Sequence, residues 1–199
     1  MTSAAFLWGA ATAGHQVEGN NVNADIWLLE QVPETSFVVP SGDACDSLHY
    51  WRGDVGLVRA LGLNCYRFSV EWSRIEPSPG RFSAAWLDHY ARIAAACRDA
   101  GIAPVITLSH FTSPRWFAER GGWTQTDSPM LFARYAERVA RRLAPWASHV
   151  VTFNEPNLPL MGRWIATPIA DPGRRGLDRM LAAAAHVTGS DRFDVWVYS

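Results

Sequence analysis

The sequence predicts an α/β protein in which parallel strands are joined by helical crossovers. Short apolar runs alternate with longer segments of helical period, and the helical segments stop at glycine or proline shortly before the next run. With 199 residues, nearly half of them hydrophobic, the chain has enough apolar material for one sizeable core.

Four runs read as strands: "AFLWGAAT" (Ala5–Thr12), "NCYRFSV" (Asn64–Val70), "PVITLSH" (Pro104–His110) and "HVVTFNE" (His149–Glu155). Before the second run, Val55, Val58 and Leu61 fit one face of a helix that Gly62 ends. Before the third, Trp86, Leu87, Tyr90, Ile93, Ala94 and Cys97 recur at three-four spacing, with Gly101 as the stop. Before the fourth, Asp127, Ser128 and Pro129 make a helix start. Leu131, Tyr135, Val139 and Leu143 then form a stripe that runs to Pro145. Leu177–Val187 reads as a further helix, leading to "DVWVYS", which alternates as a strand does.

Alternating strand and helix gives right-handed crossovers, and two outcomes are common: a doubly wound sheet and a (β/α)8 barrel. No GxGxxG follows the first run, so dinucleotide binding and an oxidoreductase of that kind are disfavoured. Polar residues instead gather at the C-terminal ends of the runs: Gln16, Arg67, His110, Asn154 and Glu155. Barrel enzymes collect their chemistry at that rim, so the barrel is the expected fold. Strand starts lie roughly 40 to 60 residues apart, which gives four βα units and the opening of a fifth strand where a barrel has eight. The expectation is one incomplete barrel domain over residues 1–199.

Composition narrows the function. Formal net charge is −1 and every basic residue is Arg, without the basic excess of a nucleic-acid binder. Cys45, Cys65 and Cys97 are far apart and show no metal-ligand spacing; Cys65 and Cys97 read as buried free thiols. The N-terminal stretch lacks a basic segment followed by a long apolar one, and no run approaches about 18 apolar residues, so neither a signal peptide nor a membrane span is expected and the cytoplasm is the default location. Ten Trp is a high count for this length; flat faces carrying one N–H suit the wall of a sugar pocket, although core packing accounts for Trp72, Trp116 and Trp123 as simply.

The stretch "HVVTFNEPNLP" poses the chemical question, because an apolar run ends in an amide and a carboxylate and Pro156 forbids its continuation. A carboxylic acid at the mouth of a barrel can act as a proton donor if desolvation raises its pKa, and Asn154 beside it adds hydrogen bonds without a second charge. Taken alone, the same Glu is equally a solvated strand-end carboxylate or a capping group.

Four stretches in order, "FLWGAATAGHQVEGN", "YRFSVEWSRIEP", "GIAPVITLSHFTSPRWF" and "TFNEP", resemble successive motifs of the glycoside hydrolase family 1 β-glycosidases. The resemblance runs from Phe6 to Pro156 and covers the N-terminal half of that family's pattern. It implies a (β/α)8 barrel that hydrolyses small β-linked glycosides or oligosaccharides with retention, needing two carboxylates and water but no metal or organic cofactor. It further implies that Glu155 is the general acid/base and that Asn154 bonds the sugar 2-hydroxyl. Gln16 and His110 would then hold the nonreducing-end sugar, and Arg67 would lie beside the nucleophile. Read without the family, His110 is a satisfied strand-end histidine, Gln16 a solvated loop residue, and Arg67 half of a structural ion pair with Glu71 or Glu18.

Two departures from the family stand out. The residue after the binding His is commonly Trp, and here it is Phe111, which has no N–H for a sugar hydroxyl. The nucleophile motif of Thr-Glu-Asn-Gly type, expected on a seventh strand, does not occur. Glu18, Asp25, Glu71 and Glu76 are the other carboxylates at hand, and nothing in the sequence sets one roughly 5 Å from Glu155, as retention requires. The alternatives are therefore a truncated gene product or a catalytically inactive sugar-binding half-barrel, whose unpaired strand edges invite self-association.

Overall fold

The computed structural model describes residues 6–33, 35, 37–156, 173–188 and 195–198. Five strands form one parallel sheet: β1 (Gly9–Ala11), β2 (Cys65–Ser69), β3 (Ala103–Ser109), β4 (His149–Asn154) and β5 (Val195–Tyr198). Their spatial order is their chain order, so each strand adds to the same edge and the order never reverses. A doubly wound sheet must reverse; a sheet that keeps turning one way is the arc of a barrel. The molecule is thus the first half of a (β/α)8 barrel, with the expected fifth strand in place.

The crossover helices are α3 (Ser47–Ala60), α5 (Ala84–Asp99), α7 (Ser128–Leu143) and α8 (Gly173–Thr188), each packed on the next around the arc. Local chemistry sets their ends. The Ser83 hydroxyl accepts the Trp86 N–H to cap α5, and Pro129 sits in the first turn of α7, where its missing N–H costs nothing. The expected stripes face the sheet: Tyr90, Ile93, Ala94 and Cys97 from α5, and Tyr135, Val139 and Leu143 from α7, close on Phe68, Ile106 and Leu108. Burying each large side chain contributes on the order of 1.5–3 kcal/mol. Cys65 and Cys97 are buried and Cys45 exposed, all three as free thiols. Trp72 stacks on Tyr135 at 5.0 Å and meets Trp116 edge-on, while Trp123 lies against Phe153 at 5.3 Å; these indoles are packing elements.

Two expectations are corrected. Leu61 is 73 % exposed, because α3 ends at Ala60 and the turn at Gly62 carries Leu61 off the buried face. The first run contributes only Gly9–Ala11 to the sheet, and Phe6 and Trp8 are exposed. There the Asn64 side chain accepts from Trp8 N–H (2.7 Å) and donates to the Phe6 carbonyl (3.0 Å), beside backbone bonds from the Asn64 and Cys65 N–H groups to the Trp8 carbonyl.

Short helices in the strand-to-helix loops escape the periodicity argument: α1 (Gly14–Val17), α2 (Asp25–Glu30), α4 (Trp72–Ile75) and α6 (Arg115–Glu119), with a 3-10 turn at Gly122–Thr124. Among the described residues no helix is long and apolar enough to cross a membrane.

Candidate active site

Arg67 lies on β2 between Tyr66 and Phe68, both of which face the core, so its side chain takes the opposite face. Its Nε donates to Thr107 Oγ1 of β3 at 2.8 Å, and its Nη2 donates to Asn154 Oδ1 of β4 at 2.7 Å. One guanidinium therefore spans three strands, and its reach fixes the Asn154 amide at the end of β4. The β4–β5 pairing shifts register between Val151 and Asn154 as the strand finishes. These bonds replace the expected alternative of an ion pair with Glu71 or Glu18: Glu18 is taken by Arg74, with Nε to Oε2 at 2.9 Å.

Glu155 follows in the left-handed region (φ 47°), which with Pro156 ends the strand. It is exposed. The described residues thus leave its side chain open to solvent, not enclosed as expected for a barrel mouth.

At the end of β3, His110 is half-buried, and its Nδ1 is buried without a hydrogen-bond partner among the described residues. Burial, with the nearby Arg67 charge second, lowers its pKa to about 4, so the ring is neutral at neutral pH. Phe111 stands edge-on to it at 4.7 Å, 38 % exposed, and also adopts a left-handed backbone (φ 68°). Two non-glycine residues in this region, each just beyond a strand end, mark strain of about 1–3 kcal/mol apiece held by the surroundings. Gln16 lies on α1 and is exposed. The structure thus joins Arg67, Asn154 and Glu155 on one side and His110 with Phe111 on the other, with Gln16 on a separate loop.

The sequence did not reveal the buried polar layer beneath these residues. Glu71 is 1 % exposed and accepts from the His15 N–H (3.2 Å), Asn21 Nδ2 (2.8 Å), Ser69 Oγ (3.3 Å) and Thr112 Oγ1 (2.7 Å). Beside it, Glu18 takes the Arg74 ion pair and the Tyr90 hydroxyl (3.2 Å). Despite that cation its pKa is raised to about 7, because burial, and then the charge of Glu71, outweigh Arg74. Asp25 is pushed up to about 6 by burial, against the Ser113 and Ile26 N–H groups that it accepts. Glu76 is buried between Trp72 Nε1, Gly80 N–H and Arg134. All four spare carboxylates are thus engaged within the fold. The one available sequence signal was Glu71 itself, a charge between Val70 and Trp72 in an apolar run. Among the described residues no group of three or more His, Cys, Asp or Glu could hold a metal ion.

Fold and rim together define a (β/α)8-type protein with its polar residues gathered at the C-terminal strand ends. The model of glycosyl hydrolase family 1 matches residues 2–195, and the chain belongs to that family. It is 38% identical to thermostable beta-glucosidase B of Thermobispora bispora over 89% of this chain and 38% of that one. It is 35% identical to a beta-glucosidase of Agrobacterium over 96% and 43% of the two chains. Among solved structures, a beta-glycosidase from Pyrococcus horikoshii superimposes with a TM-score of 0.89 at 34% identity, covering 96% of this chain and 47% of that one. The chain therefore spans about two fifths of the length of these curated relatives.

Proposed function

We propose that the chain carries the acid/base side of a retaining β-glycosidase site, acting on β-glucosides or closely related β-glycosides. The observation that carries this reading is the Arg67–Asn154 hydrogen bond next to Glu155. Because Asn154 accepts through Oδ1, its Nδ2 donors face the other side of the planar amide, where they serve a sugar hydroxyl. The Glu155 carboxyl, one residue further on, reaches the glycosidic oxygen of the same sugar. The names of the relatives, beta-glucosidases, support the substrate class.

In this mechanism Glu155 gives its proton to the departing oxygen as the bond to the anomeric carbon breaks. A second carboxylate attacks that carbon from the opposite face and forms a glycosyl ester. Glu155, now ionised, takes a proton from the water that displaces the ester, restoring the starting configuration. Since Glu18, Asp25, Glu71 and Glu76 are engaged internally, the second carboxylate in this reading comes from outside the described strands. Gln16 and neutral His110 bind the nonreducing-end hydroxyls, and Phe111 supplies an apolar wall.

A second reading follows from the same engagement of all four spare carboxylates: the chain binds the sugar without cleaving it. The test is hydrolysis of cellobiose and of an activated aryl β-D-glucoside by the chain and by Glu155→Gln, with cellobiose binding followed by NMR. The hydrolase reading expects cellobiose turnover to fall at least about 100-fold in the variant while the first step on the activated substrate is spared. Equal cellobiose turnover would remove Glu155 from the chemistry. Binding without turnover in the parent, also when added formate stands in for the second carboxylate on the activated substrate, selects the second reading, and absence of both overturns the two together.

A further inference from the structure

Glu71 has a place in the molecule that core packing does not explain. Its two oxygens collect donors from three separate segments: His15 and Asn21 in the loop after β1, Ser69 at the end of β2, and Thr112 in the loop after β3. Among the described residues no ion pair reaches this carboxyl, so directional dipoles hold it. The geometry is tight. The Ser69 hydroxyl accepts the Gly14 N–H at 2.7 Å while donating to Glu71, and a Cβ on Gly14 would stand 2.7 Å from Glu71 Cγ.

The donors adjoin the residues that face the rim. His15 immediately precedes Gln16, and Thr112 immediately follows Phe111, its N–H bonded to the His110 carbonyl at 2.9 Å. An antiparallel bridge between Ala24 and Pro114 also joins the two loops, with Asp25 N–H to the Ser113 carbonyl (2.9 Å), Arg115 N–H to the Asn23 carbonyl (2.8 Å) and Ser113 N–H to Asp25 Oδ1 (2.9 Å). Glu71 joins the same loops through His15, Asn21 and Thr112, of which His15 is next in sequence to Gln16 and Thr112 follows His110 and Phe111. A glutamine is a poorer fit, because its NH2 would face the His15 N–H on one side or the Asn21 NH2 on the other. Asn21 Oδ1 accepts from Ser73 Oγ at 2.7 Å, so turning the Asn21 amide to meet such an NH2 would also require the Ser73 hydroxyl to rotate and accept.

We propose that Glu71 is a positioning residue of the sugar site: its buried carboxyl couples the loop after β1 to the loop after β3, so that Gln16, His110 and Phe111 move as one unit. The proposal rests on the glycoside reading of the rim for its purpose, while the coupling itself is tested without sugar.

The experiment is NMR of the full chain, following the Gln16 side-chain amide and the His110 ring in Thr112→Val, Thr112→Ser, Glu71→Gln and the Glu71→Gln/Thr112→Val pair. Coupling expects Thr112→Val to shift the Gln16 amide as well as His110, and Thr112→Ser, which keeps the hydroxyl, to leave both at parental positions. On the Glu71→Gln background, Thr112→Val should no longer move Gln16. If Glu71→Gln fails to fold, the contrast between Val and Ser at position 112 decides alone, since both variants retain Glu71. A Gln16 amide unmoved by Thr112→Val overturns the proposal. Cellobiose titration is read separately: where the parent binds, Thr112→Val should weaken binding at least about threefold. A Gln16 shift in a parent that ignores cellobiose would leave the coupling standing and remove the glycoside reading.

Discussion

Beneath the rim of β1, β2 and β3 lies a dry, hydrogen-bonded layer, whereas around β4 the rim is open. Asn21, Ser69, Glu71, Ser73 and Thr112 are all buried and bonded to one another, and Glu18 with Arg74 completes the layer. At β4, Asn154 is half-buried, Glu155 is exposed, and Arg67 is the cross-strand brace. Where water is excluded, each donor must find a protein acceptor, so hydrogen bonds dictate geometry; where water is admitted, it can replace any partner. A proton donor benefits from the second condition only until a substrate covers it. Sugar-holding residues benefit from the first at all times.

The strongest attack on the dry side is Gly14→Ala. Its new Cβ would lie 2.7 Å from both Glu71 Cγ and Oε1 and 3.0 Å from Glu18 Oε1, atoms that are themselves pinned. A loss of about 3 kcal/mol in urea unfolding is expected, at the upper end of overpacking costs. A loss below about 1 kcal/mol would show the layer to be soft.

Next comes the protonation of that layer. The Glu18 pKa is raised from 4.5 to about 7, so the folded chain keeps a proton that the unfolded chain releases, and this group costs stability as pH climbs between those values. Glu18→Gln removes the titration. Relative to the parent, the variant should gain on the order of 2 kcal/mol between pH 4.5 and 7, measured by denaturation across that range. A difference that stays flat with pH would mean that Arg74 keeps Glu18 ionised throughout.

A matched pair of lesions sharpens the contrast. Thr112→Val strips a donor from a buried carboxyl and should cost about 1–2 kcal/mol, whereas Asn154→Ala, where water can take over the Arg67 donor, should cost about 0.5 kcal/mol. Equal costs would dissolve the distinction between the two sides. The smallest effect belongs to the outer surface: Arg141→Ala breaks an exposed pair with Glu137 and should change stability by less than about 0.5 kcal/mol.

The sequence by itself determined whatever depends on neighbours along the chain. The three-four spacing of Tyr90, Ile93 and Cys97, and of Tyr135, Val139 and Leu143, gave the helix faces, because one turn of helix brings those positions together whatever else the chain does. Arg67 could be placed within a strand, and His110, Asn154 and Glu155 at strand ends, from the limits of the apolar runs alone. Only the tertiary structure decided which of them meet. Arg67 reaches Thr107 and Asn154, residues 40 and 87 positions away, because β2, β3 and β4 became neighbours in one particular register. Glu71 became a hub rather than a spare carboxylate because two loops and the end of β2 converged on it. Leu61 and Glu155, each read as partly enclosed, proved exposed, since burial depends on what packs against a residue and not on its own chemistry.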